Sequence, residues 1–187
     1  MKTFAIVFVL VVAGITGFAA SKPDTFYVER VLRMKAPPAI VFAVISDFNT
    51  WSDWSPWVAK DPGIEITLGD QTTGMGARYE WAGNKSVGRG RLEIVTVTPP
   101  NSLRLKLAIF EPVLADHLVE FSLTTFGDFT KVTWSMQGTM DFKAKLMSIF
   151  TPMDTLVGPD FLLGLNRLKA VAEHEARAAI ASPPPAG

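Results

Sequence analysis

The sequence contains no cysteine and only two histidines, and its positive and negative charges cancel. The absence of cysteine excludes disulfides, thiolate nucleophiles and cysteine-ligated zinc or iron–sulfur centres. Because 18 Lys and Arg residues face 18 Asp and Glu residues, no excess positive charge is available for a nucleic-acid backbone. The two histidines are isolated and no HExxH motif occurs, so we expect no metal site, no cofactor and no nucleic-acid partner.

Apolar residues are plentiful by contrast. They make up 48% of the 187 residues, and charged residues make up 19%. A chain of this length and composition fits one domain with its own core plus a terminal extension.

The extension is at the N-terminus. Lys2 precedes an apolar segment from Phe4 to Ile15, and small residues follow at 17–21, a pattern typical of a signal peptide. An uncleaved membrane anchor is the alternative for residues 1–20, since residues 4–20 carry no charge and approach the ~20 needed to cross a bilayer. Both interpretations place the domain outside the cytoplasm, periplasmic or extracellular, or at a membrane surface.

The rest of the chain predicts an α+β domain over residues 25–181. Alternating β-formers separated by turn residues indicate seven strands, with two short helices after the first strand; the predicted strands are 26–34, 65–68, 77–81, 86–97, 102–110, 117–125 and 130–140. A helix over 142–150 follows, then an interruption at Gly158-Pro159, which is either a kink or a restart of the helix, and a long helix from Asp160 to about Ala181. A run of strands followed by a long helix favours an antiparallel sheet with the helix packed on one face. We expect residues 182–187, with three prolines, to form a flexible tail.

Four segments carry a family resemblance: residues 36–42, the tryptophan-rich 47–57, 79–90 and 160–169. Over residues 26–178 the chain resembles the SRPBCC superfamily, which includes START domains and polyketide cyclases, and is most similar to its bacterial polyketide-cyclase-like branch. The resemblance implies a helix-grip (START-like) fold, in which a seven-stranded curved antiparallel sheet wraps around a long C-terminal helix. It also implies a deep pocket between sheet and helix, but no catalytic set common to the family, so no catalytic residue is predicted.

Strand alternation selects the side chains that face this pocket, because every second residue of a strand points to the same face. The predicted ligand-binding residues are Trp51, Tyr79, Trp81, Leu105, Leu107, Phe121, Trp134, Met136, Phe161 and Leu165. The alternative is that they pack on one another and leave no space. For Trp54 and Trp57 we favour a role as anchors of the short helices. His117 and His174 are both expected to face solvent.

Three functions remain open. The first is binding of an apolar small molecule such as a lipid, quinone or polyketide, with a membrane as second partner if the N-terminal segment is retained. The second is a cyclase- or dehydratase-like enzyme, which requires a carboxylate or histidine in the pocket with a shifted pKa. The third is a cell-envelope interaction or stress module without a ligand, which predicts a filled interior and an exposed apolar patch.

Overall fold

Seven strands form one antiparallel sheet in the computed structural model, which describes residues 2–181. The strands are β1 Thr25–Met34, β2 Glu65–Leu68, β3 Arg78–Ala82, β4 Arg89–Thr98, β5 Ser102–Glu111, β6 Ala115–Phe126 and β7 Phe129–Thr139. Strands β2 to β7 follow one another as hairpins, and β1 returns to pair with β7, giving the order β1-β7-β6-β5-β4-β3-β2. Irregular pairing between β4 and β5 at Arg89/Gly90 and Ile94/Thr96 increases the local twist of the sheet.

The helices are α1 Lys2–Ser21, α2 Pro38–Ser46, α3 Trp51–Trp54, α4 Pro56–Lys60, α5 Phe142–Phe150 and α6 Met153–Ala181, with a 3-10 turn at Phe48–Thr50. This is the α+β helix-grip fold expected from the sequence. The prediction of two short helices after β1 was too simple, because Pro56 begins a further helix, α4, immediately after α3 ends. Proline suits the first position of a helix but interrupts one that reaches it from the N-terminal side.

Of the two alternatives for Gly158-Pro159, a restart is wrong, because α6 begins at Met153 and continues through Pro159. Proline removes one backbone hydrogen bond from a helix interior. This part of α6 contacts β1: Arg30 Nη1 lies 2.7 Å from Asp154 Oδ1, and the Arg30 side chain crosses the backbone of Gly158 so closely that a Cβ there would lie 1.9 Å from Nη2. The first turns of α6 are therefore held against the sheet.

The core lies between the inner face of the sheet and one face of α6. Strand alternation is confirmed for its centre, where Val119, Phe121 and Leu123 of β6 are buried, as are Val132, Trp134 and Met136 of β7. Helix α6 contributes Phe161, Leu165, Leu168 and Ala172, all buried. The outer face carries ion pairs such as Arg104–Glu120, with Nε and Oε2 3.0 Å apart.

Helix α1 packs against α5 at the edge of the domain. Lys22, which follows α1, donates a hydrogen bond from Nζ to the carbonyl oxygen of Ser148 at 3.0 Å, and Lys145 of α5 forms an ion pair with Asp24. Many apolar side chains of α1 remain exposed, including Phe4 at 80%. Among residues 2–181, no helix is long and apolar enough to cross a membrane. The predicted tail lies outside the described residues.

Candidate apolar cavity

Aromatic rings fill the centre of the space between sheet and helix. Trp134 of β7 stacks on Phe161 of α6 with ring centroids 4.4 Å apart and planes 7° from parallel. Phe121 contacts Trp134 at 4.9 Å, and Trp54 meets both rings edge-on at 6.0 and 5.7 Å. Such pairs add about 0.5–1.5 kcal/mol each beyond the area they bury. Much of the expected chamber is therefore a packed core.

A cavity of about 190 Å³ remains beside this cluster, under the N-terminal half of α6. Its walls come from the inner sheet face, the short helices and α6; they comprise Trp51, Ser55, Trp57, Ile64, Tyr79, Trp81, Val87, Leu92, Leu107, Ile109, Glu111, Pro112, His117, Val119, Trp134, Met136, Met153, Val157 and Phe161. Most of these side chains are apolar. Glycine makes room for one wall, since a Cβ on Gly90 would lie 2.5 Å from the Trp81 ring.

The structure brings most of the predicted ligand-binding residues to this cavity. The wall includes Trp51, Tyr79, Trp81, Leu107, Trp134, Met136 and Phe161. Leu105, Phe121 and Leu165 do not line it and are fully buried in the packed part of the core. Alternation identifies the inner face of a strand but not the position along it at which packing ends. Whether the seven wall residues contact a ligand stays a prediction.

The tryptophans of the short helices have different environments. Trp54 is fully buried away from the cavity, as expected of an anchor. Trp57 packs edge-on against Trp134 at 5.8 Å and also lines the cavity, so its expected role as an anchor alone was too narrow. Trp51 donates a hydrogen bond from Nε1 to the carbonyl oxygen of Ile45 at 3.0 Å, which fixes its ring at the wall.

The expectation that His117 faces solvent is wrong. Its side chain is 9% exposed and lines the cavity. The sequence contained the signal, because His117 is in phase with Val119, Phe121 and Leu123, which all point inward. The prediction of a solvent-facing His117 relied on its acidic neighbour Asp116 instead of on this alternation. His174 is exposed on α6, as expected.

The imidazole of His117 is held between two neighbours. Phe26 of β1 meets the ring edge-on, with centroids 5.0 Å apart. Gly138 is the direct partner of His117 on β7, and a Cβ at Gly138 would lie 2.2 Å from His117 Nδ1. This nitrogen is buried and has no hydrogen-bond partner among the described residues. Burial lowers the pKa of His117, and Asp116 opposes the shift only in part.

The other polar groups of the wall are mostly uncharged. Burial raises the pKa of Tyr79 to about 12, so its phenol is neutral at physiological pH. Ser55 is buried, and the buried indole Nε1 of Trp134 has no hydrogen-bond partner in the part of the chain that the structure describes. Glu111 is exposed and lies 3.1 Å from Arg89, measured from Oε1 to Nη1. The cavity thus combines apolar walls with a few neutral polar groups.

No group of three or more His, Asp or Glu residues that could hold a metal ion occurs within the described part of the chain.

Residues 25–173 match the family model described as polyketide cyclase/dehydrase and lipid transport. Similar solved structures include protein CV1439 from Chromobacterium violaceum, at 16% identity and a TM-score of 0.57 over 81% of this chain and 99% of that one. The ginseng major latex-like protein 151 from Panax ginseng is 14% identical, with a TM-score of 0.58 over 80% and 99% of the two chains. The Aha1 dimer from Colwellia psychrerythraea is 16% identical, with a TM-score of 0.55 over 79% and 96%. At these identities the structures show a shared fold. No curated protein matches the chain.

Proposed function

We propose, given that the chain belongs to the polyketide cyclase/dehydrase and lipid transport family of the SRPBCC superfamily, that it binds a small, uncharged and largely apolar molecule in the cavity beneath α6. The observation that carries this proposal is a cavity of about 190 Å³ whose walls are mainly apolar. A site of this kind gains affinity by removing apolar surface from water.

The size of the cavity restricts the ligand. Small-molecule pockets commonly span about 300–1,000 Å³, whereas an engineered apolar cavity of about 150 Å³ in another protein binds benzene. At about 190 Å³, this cavity suits a molecule of one or two rings, or one ring-sized part of a longer ligand. A complete two-chain lipid would require the walls to move apart.

The cavity also separates this proposal from an interaction module without a ligand. That alternative predicts a filled interior. It also predicts an exposed apolar patch, and exposed apolar side chains do occur on α1 and α5, among them Phe4, Phe142 and Phe150. The empty volume among buried aromatic rings favours the ligand.

The test is to fill the cavity. Val157 lines the wall from α6, and Val157→Phe should occupy part of the volume. Leu162→Phe is the matched control, because Leu162 is exposed on the same helix. Tetralin, a two-ring hydrocarbon, is a suitable probe, with binding measured by calorimetry and by the fluorescence of the tryptophans in the wall.

Wild type and Leu162→Phe should bind tetralin with equal affinity, and Val157→Phe should lose most of that affinity while still unfolding cooperatively. Native mass spectrometry of protein from its own host should also detect an apolar passenger in wild type and less of it in Val157→Phe. If tetralin does not bind to wild type and no passenger is recovered, the proposed function is wrong.

A cyclase-like activity in the same cavity is the second candidate. The observation that favours it is the position of His117 in the cavity wall, with burial lowering its pKa. This role requires the neutral tautomer with a bare Nε2, because only an unprotonated ring nitrogen accepts a proton. Turnover of a reactive polyketone chain by wild type, abolished in His117→Phe with ligand affinity retained, would establish this activity; equal product formation by the two proteins would exclude His117 as the base.

For the N-terminal segment we propose a role in export or membrane attachment, as the charge-free residues 4–20 indicate. Both roles deliver the domain to a compartment or surface where apolar molecules are exchanged. N-terminal sequencing of the mature protein distinguishes them: a start near residue 20 identifies a signal peptide, and an intact N-terminus in the membrane fraction identifies an anchor. An intact N-terminus in the soluble cytoplasmic fraction would contradict both.

A further inference from the structure

His117 is the polar group of the cavity with the most restricted geometry. Position 138 on the paired strand is glycine, and a Cβ there would lie 2.2 Å from Nδ1 and 2.9 Å from Cε1 of Phe26. The imidazole therefore packs directly on the Gly138 backbone. Nδ1 is buried against the Cα of Gly138 and has no hydrogen-bond partner within residues 2–181.

This contact selects one tautomer of the ring. A neutral imidazole carries its proton on one nitrogen only. A proton on Nδ1 would lie against the hydrogens of Gly138. Among the described residues this buried nitrogen has no hydrogen-bond partner; the backbone of Asp116 is near enough to oppose the lowering of the His117 pKa but does not bond to Nδ1. A buried donor without an acceptor costs about 1–3 kcal/mol. A bare Nδ1 avoids the steric conflict, so the proton belongs on Nε2, at the side of the ring away from Gly138.

The surroundings favour an uncharged ligand. Burial disfavours the imidazolium form of His117, and Tyr79 keeps its proton. Neither group would compensate the charge of a carboxylate or phosphate, and a charge without a partner in an apolar cavity is strongly disfavoured. A neutral oxygen does not incur this cost.

We propose that the Nε2–H group of His117 donates a hydrogen bond to a carbonyl or other neutral oxygen of the ligand, so that the cavity selects ring compounds bearing such an oxygen over plain hydrocarbons and over carboxylates. This inference rests on the proposed function and specifies its ligand class. His117 is the recognition residue, and the apolar walls supply the rest of the affinity.

The test compares ligands that share one skeleton. Tetralin has no acceptor oxygen, 1-tetralone carries one carbonyl oxygen, and tetralin-1-carboxylate carries a charge. Calorimetry gives the ratio of the tetralone affinity to the tetralin affinity in wild type, in His117→Phe, and in the surface control His174→Phe. The ratio cancels changes that affect both neutral ligands equally.

The ratio should fall about fivefold in His117→Phe, because a net hydrogen bond between neutral groups is worth about 1 kcal/mol, and it should not change in His174→Phe. The carboxylate should bind to wild type more weakly than either neutral probe. An unchanged ratio in His117→Phe, with both neutral probes still bound, would overturn the role of His117 and leave the proposed function intact. Failure of both neutral probes to bind to wild type would overturn the proposed function as well.

A second measurement needs no cavity variant. Nitrogen-15 spectra of histidine-labelled wild type distinguish the two neutral tautomers, and His174→Gln assigns the signals because the chain has only two histidines. The Nε2–H tautomer is expected for His117, with its Nε2 signal shifted by 1-tetralone and not by tetralin. The Nδ1–H tautomer would contradict the inference.

Discussion

Two stretches of α6 cover the same sheet but pack against it differently. From the middle of the helix onwards, Leu165, Leu168 and Ala172 are completely buried. The N-terminal half places Met153 and Val157 over the cavity. Since sheet and helix continue through both stretches, the difference must come from what lies between them.

The short helices supply that difference. Helix α2 contacts α6 and contributes the fully buried Val41 and Ile45 to the core; no residue of α2 lines the cavity. The cavity is bounded instead by other residues, among them Trp57 of α4 and Trp81 of β3. Space thus remains between the sheet and α6 beyond the part that α2 covers.

The most sensitive test of this contrast uses two leucines on one strand. Leu105 and Leu107 point to the same face of β5, but Leu105 is fully buried in the packed region and Leu107 is half-buried at the cavity. Leu105→Ala should lower the free energy of unfolding by about 2–5 kcal/mol. Leu107→Ala should cost clearly less, because its side chain already lacks neighbours on one side.

Urea denaturation of the two variants and wild type measures the difference. The two variants should rank in the opposite order by their change in tetralin affinity. Leu107→Ala should alter this affinity, and Leu105→Ala should leave it near that of wild type. Equal destabilisation by the two substitutions would mean that the two regions are packed alike.

A smaller effect is expected at Gly164, where α6 packs against the ring of Trp134. A Cβ on Gly164 would lie 2.6 Å from the Trp134 ring and 3.1 Å from Pro56. Gly164→Ala should therefore lower the free energy of unfolding by about 1–3 kcal/mol through overpacking, although alanine favours helix more than glycine does. Gly14→Ala in protein that retains residues 1–20 is the control, because a Cβ on this helical glycine meets nothing within 4 Å. Thermal unfolding should show a loss only for Gly164→Ala; stabilisation by both would contradict the tight packing.

The smallest expected effect is a pH dependence of the free energy of unfolding that arises from His117 in the cavity wall. Burial lowers the pKa of His117 below its ordinary 6.5 in the folded protein, with Asp116 opposing the shift. Below pH 6.5 the unfolded chain gains a proton that the folded chain does not bind, so the free energy of unfolding should fall as the pH drops from about 6.5 towards the folded-state pKa. His117→Phe should remove this dependence, and His174→Phe gives the background due to the other histidine.

Chemical denaturation of the three proteins at about pH 7.5 and about pH 5.5 measures how the free energy of unfolding depends on pH. The hydrogen bonds and charges of Lys145 and Arg30 lower the pKa values of Asp24 and Asp154 respectively, so these carboxyls titrate at more acidic pH. Glu111 also lies in the cavity wall and is unchanged in all three proteins. A pH dependence that is identical in wild type and His117→Phe would show that His117 is solvated.

The sequence predicted the fold better than the site. Alternation and turn residues are local properties, and they identified the strands and the buried face of α6. Where α6 continues through Pro159, it contacts Arg30 of β1 through Gly158 and Asp154, and residue 30 is far from 154 in the chain. No local pattern contains that information.

The position of the cavity also could not be predicted from local patterns. Alternation placed Leu105 and Leu107 on one face, but only the arrangement of Trp57, Trp81 and α6 determines which of them meets empty space. His117 is the exception, because its phase with Val119 and Phe121 was readable in the sequence and was outweighed by its acidic neighbour.

The most direct test of the account is methyl NMR of the wild-type domain titrated with tetralin. Saturable shifts should appear at Leu107, Val119, Met136, Met153 and Val157, which line the cavity, while Leu105, Leu165 and Leu168 in the packed core should move little. Shifts confined to the exposed methyl groups of α1 and α5, or no saturable shift at all, would contradict the claim that the space beneath the N-terminal half of α6 receives an apolar ligand.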